Sequence, residues 1–148
     1  MPRPAAVLVA AGLAATVLAG CNKPAPKITV LGGGKVVTIS PSTYCFDAAH
    51  CRHSTGVDLP SFTTAADEKV LIDVPREVER RGWVVSALTL NGKTQLATSG
   101  PIRNSHTYRV PSGVNSGNPF VVQVNELAGS VPSGSVWSLL VQVSLTKS

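Results

Sequence analysis

Five side chains that could bind a metal ion or form a covalent bond lie within nine residues of the chain: Cys45, Asp47, His50, Cys51 and His53. Thiolates, imidazoles and a carboxylate are zinc ligands, so the segment 45–53 could form a metal site. Two cysteines in an oxidising compartment would instead form a disulfide around the short loop 46–50. We favour the disulfide because the adjacent His50 and Cys51 would point to opposite faces of a strand, and because the spacing differs from paired C-x-x-C zinc knuckles. His106 is distant in sequence and is expected on a surface strand rather than as a third ligand.

The third cysteine, Cys21, ends a segment with its own chemistry. A lone Arg3 precedes an apolar run from Ala5 to Gly20, which closes on Leu18-Ala19-Gly20-Cys21. A basic start, an apolar core and small residues before a cleavage point are typical of a secretory signal peptide. A cysteine directly after the small pair is typical of lipid attachment, in which the thiol takes a diacylglycerol and the new amine takes a fatty acyl chain such as palmitate. The alternative, an uncleaved membrane anchor, is disfavoured because the run is shorter than the ~20 residues that cross a bilayer comfortably.

This pattern divides the chain into three parts. Residues 1–20 are predicted to be a cleaved signal peptide, residues 21–27 a lipidated, polar and proline-rich tether, and residues 28–148 a folded domain. The predicted location is therefore outside the cytoplasm, on the outer face of the cell membrane. With Cys21 committed to lipid, Cys45 and Cys51 remain as an even pair in an oxidising compartment, which predicts their disulfide.

The charge and the composition limit the possible partners. The chain has 13 basic and 8 acidic residues, a formal net charge of +5 and only 5% aromatic residues. Without a long basic run, this composition predicts no nucleic-acid binding. The predicted partners are the membrane, through Cys21, and an envelope protein or wall polymer. The basic balance allows a weak affinity for anionic lipid or polymer, although ordinary solubilising charge explains it more simply.

No pattern in the chain predicts catalysis. The acidic residues show no recurrent spacing, no serine lies in a G-x-S-x-G motif, and the glycine run 32–34 lacks the Lys-Ser/Thr ending of a phosphate-binding loop. We predict no catalytic, cofactor-binding or metal-binding residue, and keep an envelope hydrolase only as an alternative.

The sequence contains one local cluster of basic residues. Arg76, Arg80 and Arg81 alternate with Glu77 and Glu79. We interpret the segment as a solvated, partly self-neutralised surface turn rather than an anion-binding patch. On that interpretation, an Arg81→Ala substitution would cost under about 0.5 kcal/mol.

The elements that must position these residues are predicted to be β-strands. Period-two alternation is clearest over 136–146, where Trp137, Leu139, Val141, Val143 and Leu145 fall on one face. Further strand-like segments are Ile28–Leu31, Lys35–Ser40, Lys69–Val74, Trp83–Leu90, Thr94–Ala97, His106–Val110 and Phe120–Leu127. Asn91-Gly92 predicts a type I′ hairpin. Short helical turns are expected over 64–68 and 76–81, a long irregular connection over 41–68, and an exposed loop over 111–119.

About seven strands, with Trp83 on the strand before the Asn91-Gly92 hairpin, predict an all-β, immunoglobulin-like β-sandwich. A small β-barrel is the alternative. The side chains expected to share one buried interior are Val70, Ile72, Trp83, Val85, Trp137, Leu139, Val141 and Val143.

These landmarks also resemble a family of actinobacterial lipoproteins of unknown function. The matching segments are Cys21, Ile28-Thr29-Val30, Tyr44-Cys45 with Cys51, Lys69–Pro75, Gly82–Val85 and Trp137-Ser138-Leu139. The resemblance covers most of the chain after residue 20. It implies an anchored extracytoplasmic β-domain and brings no activity, cofactor or catalytic residue.

The sequence therefore favours a membrane-anchored cell-envelope lipoprotein that serves as a non-enzymatic interaction or structural module. The alternative is an extracytoplasmic lipoprotein that binds a small ligand or a metal through the segment 45–53.

Overall fold

The structure, a computed structural model, describes residues 23–55, 58–114 and 117–145. The predicted signal peptide 1–20 and Cys21 lie outside the described residues. Within the described part of the chain there are eleven strands, one α-helix and one 3-10 turn: β1 (Ile28–Gly32), β2 (Lys35–Ile39), β3 (Thr43–Asp47), β4 (His50–His53), β5 (Ser61–Ala65), β6 (Leu71–Asp73), α1 (Arg76–Arg81), β7 (Trp83–Leu88), β8 (Gln95–Thr98), β9 (Thr107–Arg109), the 3-10 turn Ser112–Val114, β10 (Phe120–Ala128) and β11 (Val131–Ser144).

The strands form two sheets that enclose the core. The smaller sheet has the order β2-β1-β6-β9, and the larger has the order β4-β3-β11-β10-β7-β8. β5 adds a seventh strand to the larger sheet by pairing in parallel with the second half of β11, whereas the other described pairs are antiparallel. The prediction of an all-β sandwich is confirmed, and neither sheet closes into a barrel over the described strands.

The core lies between the inner faces of the two sheets and is built around two tryptophans. Trp83 and Trp137 are both fully buried, and each indole N–H is satisfied, by the backbone oxygens of Ser105 (2.9 Å) and Pro26 (3.0 Å). Seven of the eight predicted core side chains are buried, and Val143 is half-buried against them. The predicted apolar face ends there, because Leu145 is 79% exposed just beyond the last paired residue of β11.

The prediction of an irregular connection over 41–68 is wrong, because the segment contains β3, β4 and β5. These three strands raise the total above the seven expected. β4 is exposed along its whole length, so it carries none of the alternation by which a half-buried strand is recognised. The predicted helical turn over 64–68 is also wrong: Thr64 and Ala65 belong to β5, and Ala66 and Asp67 form a turn.

A tight hairpin lies at the glycine run 32–34. Gly32 pairs with Lys35, and Gly33 and Gly34 between them have φ values of 59° and 67°, which is the backbone of a type I′ turn. Asn91-Gly92 does lie in the β7–β8 hairpin, but only Gly92 of the two has a positive φ. Asn91 instead accepts hydrogen bonds through Oδ1 from the Thr89 hydroxyl (2.7 Å) and the Lys93 N–H (3.0 Å). The type I′ assignment there is therefore wrong, because these side-chain bonds support a longer turn.

The single α-helix of the described residues crosses one end of the sandwich. Pro75 precedes α1 with an extended ψ of 155°, and Gly82 ends it with φ 88°. Val78 is its one buried residue and anchors it on the core. The predicted helical turn over 76–81 is thus confirmed, and it connects β6 of the smaller sheet to β7 of the larger.

Candidate functional site

The structure brings the disulfide segment and the arginine cluster together at the end of the sandwich that carries α1. Here a groove of about 570 Å³ runs between the tip of the β3–β4 hairpin, α1 and the turn between β10 and β11. We call it the arginine groove. Its lining includes Arg80, Arg81 and Arg103. A neighbouring hollow, lined by Arg76, Glu79, Arg80 and Asn104, continues it along α1.

One wall of the arginine groove is the β3–β4 hairpin, residues 43–53, which we call the disulfide hairpin. Cys45 and Cys51 are direct partners across β3 and β4, and their sulfurs are bonded at 1.98 Å, so the predicted disulfide is confirmed. The bond removes the two thiolates that a metal site over 45–53 requires. Of the described residues, no group of three His, Cys, Asp or Glu side chains is placed to hold a metal ion.

The disulfide hairpin is fastened to β11 by two small residues. The buried Ser135 hydroxyl accepts from the Cys45 N–H at 3.0 Å and donates to the Cys45 oxygen at 3.4 Å. A Cβ on Gly134 would lie only 2.7 Å from Cys45 Sγ, and the φ of Gly134 is +93°. Glycine is therefore required beside the disulfide by both the close approach and the backbone conformation.

A buried carboxylate lies beneath the arginine groove. Glu126 is completely buried at the end of the inward face that Phe120, Val122 and Val124 form on β10. Its Oε2 accepts from Arg81 Nη1 at 3.2 Å and from the Ser133 hydroxyl at 3.0 Å. Its Oε1 has no hydrogen-bond partner among the described residues. A carboxylate in this position depends on Arg81 for its charge balance.

The sequence interpretation missed Glu126 and misplaced the role of Arg81. Glu126 continues the period-two phase of Phe120, Val122 and Val124, which is the signal that would have placed an acid on the inward face. Arg81 was expected to be solvated on a surface turn whose arginines are partly neutralised by Glu77 and Glu79. Its side chain is indeed 43% exposed, but it pairs with the fully buried Glu126 rather than with those two acids alone.

The disulfide hairpin carries two aromatic side chains, Tyr44 and Phe46, that contact each other. The rings of Tyr44 and Phe46 meet edge to face with centroids 4.9 Å apart, and the Arg52 guanidinium lies 5.2 Å from the centroid of Phe46. Burial raises the pKa of the Tyr44 phenol, and the negative charges of Glu77 and Glu126 raise it further. Tyr44 thus stays neutral between α1 and the buried acid, whereas Phe46 is 40% exposed at the groove.

Two histidines each contact an aspartate at the surface. His50 Nδ1 lies 2.8 Å from Asp47 Oδ1, and His106 Nδ1 lies 3.0 Å from Asp73 Oδ1. The hydrogen bond from His50, followed by that from the Ala49 N–H, lowers the pKa of Asp47. Because this pKa is lower in the folded than in the unfolded state, the ionised Asp47 stabilises the fold at a pH above its unfolded-state pKa. That stabilisation is lost as the pH falls through the lowered, folded-state pKa. All four side chains are substantially exposed, so both pairs lie in water rather than in a closed cleft.

The chain enters the domain at the same end. Residues 23–27, part of the predicted tether, form no helix or strand and contact the sandwich at two points. Lys23 Nζ lies 2.6 Å from Glu77 Oε2 on α1, and the Pro26 oxygen accepts from the buried Trp137 indole. No helix in the described part of the chain is long and apolar enough to cross a membrane.

Most of the chain matches a known protein family. Residues 21–142 match the model of a family described as a protein of unknown function, DUF2771. The matched range begins at Cys21 and contains every residue of the arginine groove. No curated protein matches the chain.

Proposed function

The chain belongs to the DUF2771 family, whose description assigns no activity, and we propose that it is a lipoprotein held on the outer face of the cell membrane by acyl chains on Cys21. The observation that carries the proposal is the sequence Leu18-Ala19-Gly20-Cys21 at the end of an apolar run. The disulfide between Cys45 and Cys51 supports it, because such bonds persist in oxidising compartments and are rare in the cytosol.

The role on the membrane is that of a non-enzymatic interaction or structural module. A general acid or base is usually tuned by burial and held next to a nucleophile. The two histidine–aspartate pairs are instead solvent-exposed, and the carboxylate of Glu126 is engaged by Arg81 and Ser133. These groups fit surface and structural roles better than proton transfer.

Intact mass tests the anchoring. The full chain is expressed in a bacterial host that processes lipoproteins, and the membrane-bound product is purified in detergent. We expect a mass that corresponds to a chain beginning at Cys21 with added acyl groups. Cys21→Ala should lose both the acyl mass and the cleavage before residue 21, while the matched Asn22→Ala variant should keep both. A wild-type product without acyl groups would refute the proposal.

A further inference from the structure

We infer that the α1 end of the sandwich docks on anionic phospholipid headgroups, so that the domain lies against the membrane rather than projecting from it. The inference rests on the proposed function, because it assigns a surface of the domain to the membrane that holds the anchor. Three observations carry it: where the chain leaves the domain, which charges surround that point, and which apolar side chains flank them.

The chain leaves the domain beside α1. Lys23 contacts Glu77, and Pro26 is tied to Trp137 in the core. Cys21 is two residues before Lys23, and an extended chain spans at most ~3.6 Å per residue. The Cα of Cys21, the residue that would carry the acyl chains, therefore lies within about 7 Å of the Lys23 Cα. Even from the firmer contact at Pro26, five residues reach no more than about 18 Å. The tether is too short to hold this end of the domain far from the headgroups.

The surface at this point offers arginines to phosphate groups. Arg81 pairs with Glu126, and Arg103 donates one hydrogen bond to the Gly129 oxygen at 2.6 Å. Among the described residues no acid forms an ion pair with Arg76, Arg80 or Arg103, which are the remaining cations of the arginine groove and its neighbouring hollow. Asp47 and Glu79 line the same surface, but the contact with His50 already engages Asp47. The planar guanidinium group donates two parallel hydrogen bonds to phosphate oxygens, which makes arginine well suited to headgroups.

Exposed apolar side chains also line the arginine groove. Phe46 on the disulfide hairpin is 40% exposed, and Val131 at the start of β11 is 61% exposed, and both line the arginine groove. Arginines beside an aromatic and an aliphatic side chain match the membrane interface, where rings lie at headgroup level and basic groups meet phosphates. A soluble polyanion would use the arginines and leave Phe46 and Val131 unexplained, so the arrangement favours a lipid surface.

Two lysines at the far end of the sandwich provide a matched control. β7 runs away from α1 for six residues, so Lys93 in the β7–β8 turn lies at the opposite end. Lys69 precedes β6 on the side where β6 pairs with the end of β1. A Lys69→Gln/Lys93→Gln chain loses as much charge as an Arg76→Gln/Arg80→Gln chain without touching the α1 end.

The experiment measures protection of the α1 end by lipid. The full-length gene product, recovered from membranes, is placed in nanodiscs of phosphatidylcholine alone or with phosphatidylglycerol, and hydrogen exchange is followed over 76–81 and 127–134. We expect phosphatidylglycerol to slow exchange in both segments, less so at high salt. Arg76→Gln/Arg80→Gln should reduce the effect by about fivefold per arginine removed. The lysine variant should behave like the wild type, and a thermal melt confirms that each variant is folded.

Three outcomes would overturn docking: equal exchange in the two lipids, equal loss in the arginine and lysine variants, or protection by added polyphosphate on phosphatidylcholine nanodiscs but not by phosphatidylglycerol. The last would identify a soluble polyanion as the partner. Intact mass of the same samples reports acylation of Cys21 separately. An acylated protein without protection refutes docking alone, and an unacylated protein refutes the anchor while the comparison of the two lipids still tests docking.

Discussion

Arg80 and Arg81 are neighbours in the sequence, carry the same charge and are both exposed, but they have different surroundings in the fold. Arg81 reaches back over the end of the core and pairs with the fully buried Glu126, whose second oxygen has no partner among the described residues. Arg80 lies on the outer surface, where it lines both the arginine groove and the neighbouring hollow. Arg81 is therefore placed to stabilise the domain, whereas Arg80 is one of the arginines that we propose to contact lipid headgroups.

The division between the two arginines predicts different costs of substitution. Arg81→Ala removes the cation beside a buried carboxylate and should lower the free energy of unfolding by about 1–3 kcal/mol, whereas Arg80→Ala should cost under about 0.5 kcal/mol. Urea unfolding measures both. In a Glu126→Gln background the cost of Arg81→Ala should shrink, because no charge is left unpaired. Equal small losses for both arginines would show that Glu126 does not depend on Arg81.

Secondary structure was predictable where one face of an element is buried. Each strand-like segment of the sequence contains a strand. In β11 the buried Trp137 and Leu139 leave a period-two signal, whereas β8, which has no buried residue, was predicted from the Asn91-Gly92 turn before it. The disulfide hairpin was missed as a hairpin because β4 has no buried face. The arginine groove was beyond prediction for a different reason. It assembles α1, the β3–β4 tip and the β10–β11 turn, which only the strand order brings together.

Gly134 of β11 lies against the disulfide and should not tolerate a side chain. Gly134→Ala would place a Cβ 2.7 Å from Cys45 Sγ in a backbone with φ +93°. Gly129→Ala is the matched control, since its φ is also positive (+67°) but nothing lies within 4 Å of the added atom. We expect the control to cost about 1–2 kcal/mol for the backbone alone and Gly134→Ala to cost clearly more in thermal or urea unfolding. Equal costs would show that the disulfide yields without strain.

At the scale of the whole molecule, one core packs between both sheets and also contacts the segment by which the chain enters the domain. Trp137 fills the interior beside Trp83, and its indole also holds the Pro26 oxygen at the point where the chain enters the domain. The buried face of β11 ends before Leu145, so the core has a defined limit at the end of this strand as well.

Substitutions along β11 should report that limit. Trp137→Ala empties a fully buried site and should cost about 3–5 kcal/mol, a large part of the stability of an ordinary domain. Leu145→Ala, on the same predicted face but 79% exposed, should cost under about 0.5 kcal/mol. Urea melts followed by circular dichroism measure both. Comparable costs for the two would mean that the core extends past the end of β11.

The pairing of β11 has a consequence for how the chain acquires its structure. β3 and β5 both hydrogen-bond to β11, and the contact between Thr63 and Gln142 spans 79 positions. Such non-local pairings require a large loop to close first, which gives a high contact order and slow folding. Until β11 has emerged from the ribosome, β3, β4 and β5 lack the strand that joins them to the larger sheet. The larger sheet therefore stays incomplete until β11 is made, and an incompletely folded chain would suit the export that our proposed function requires.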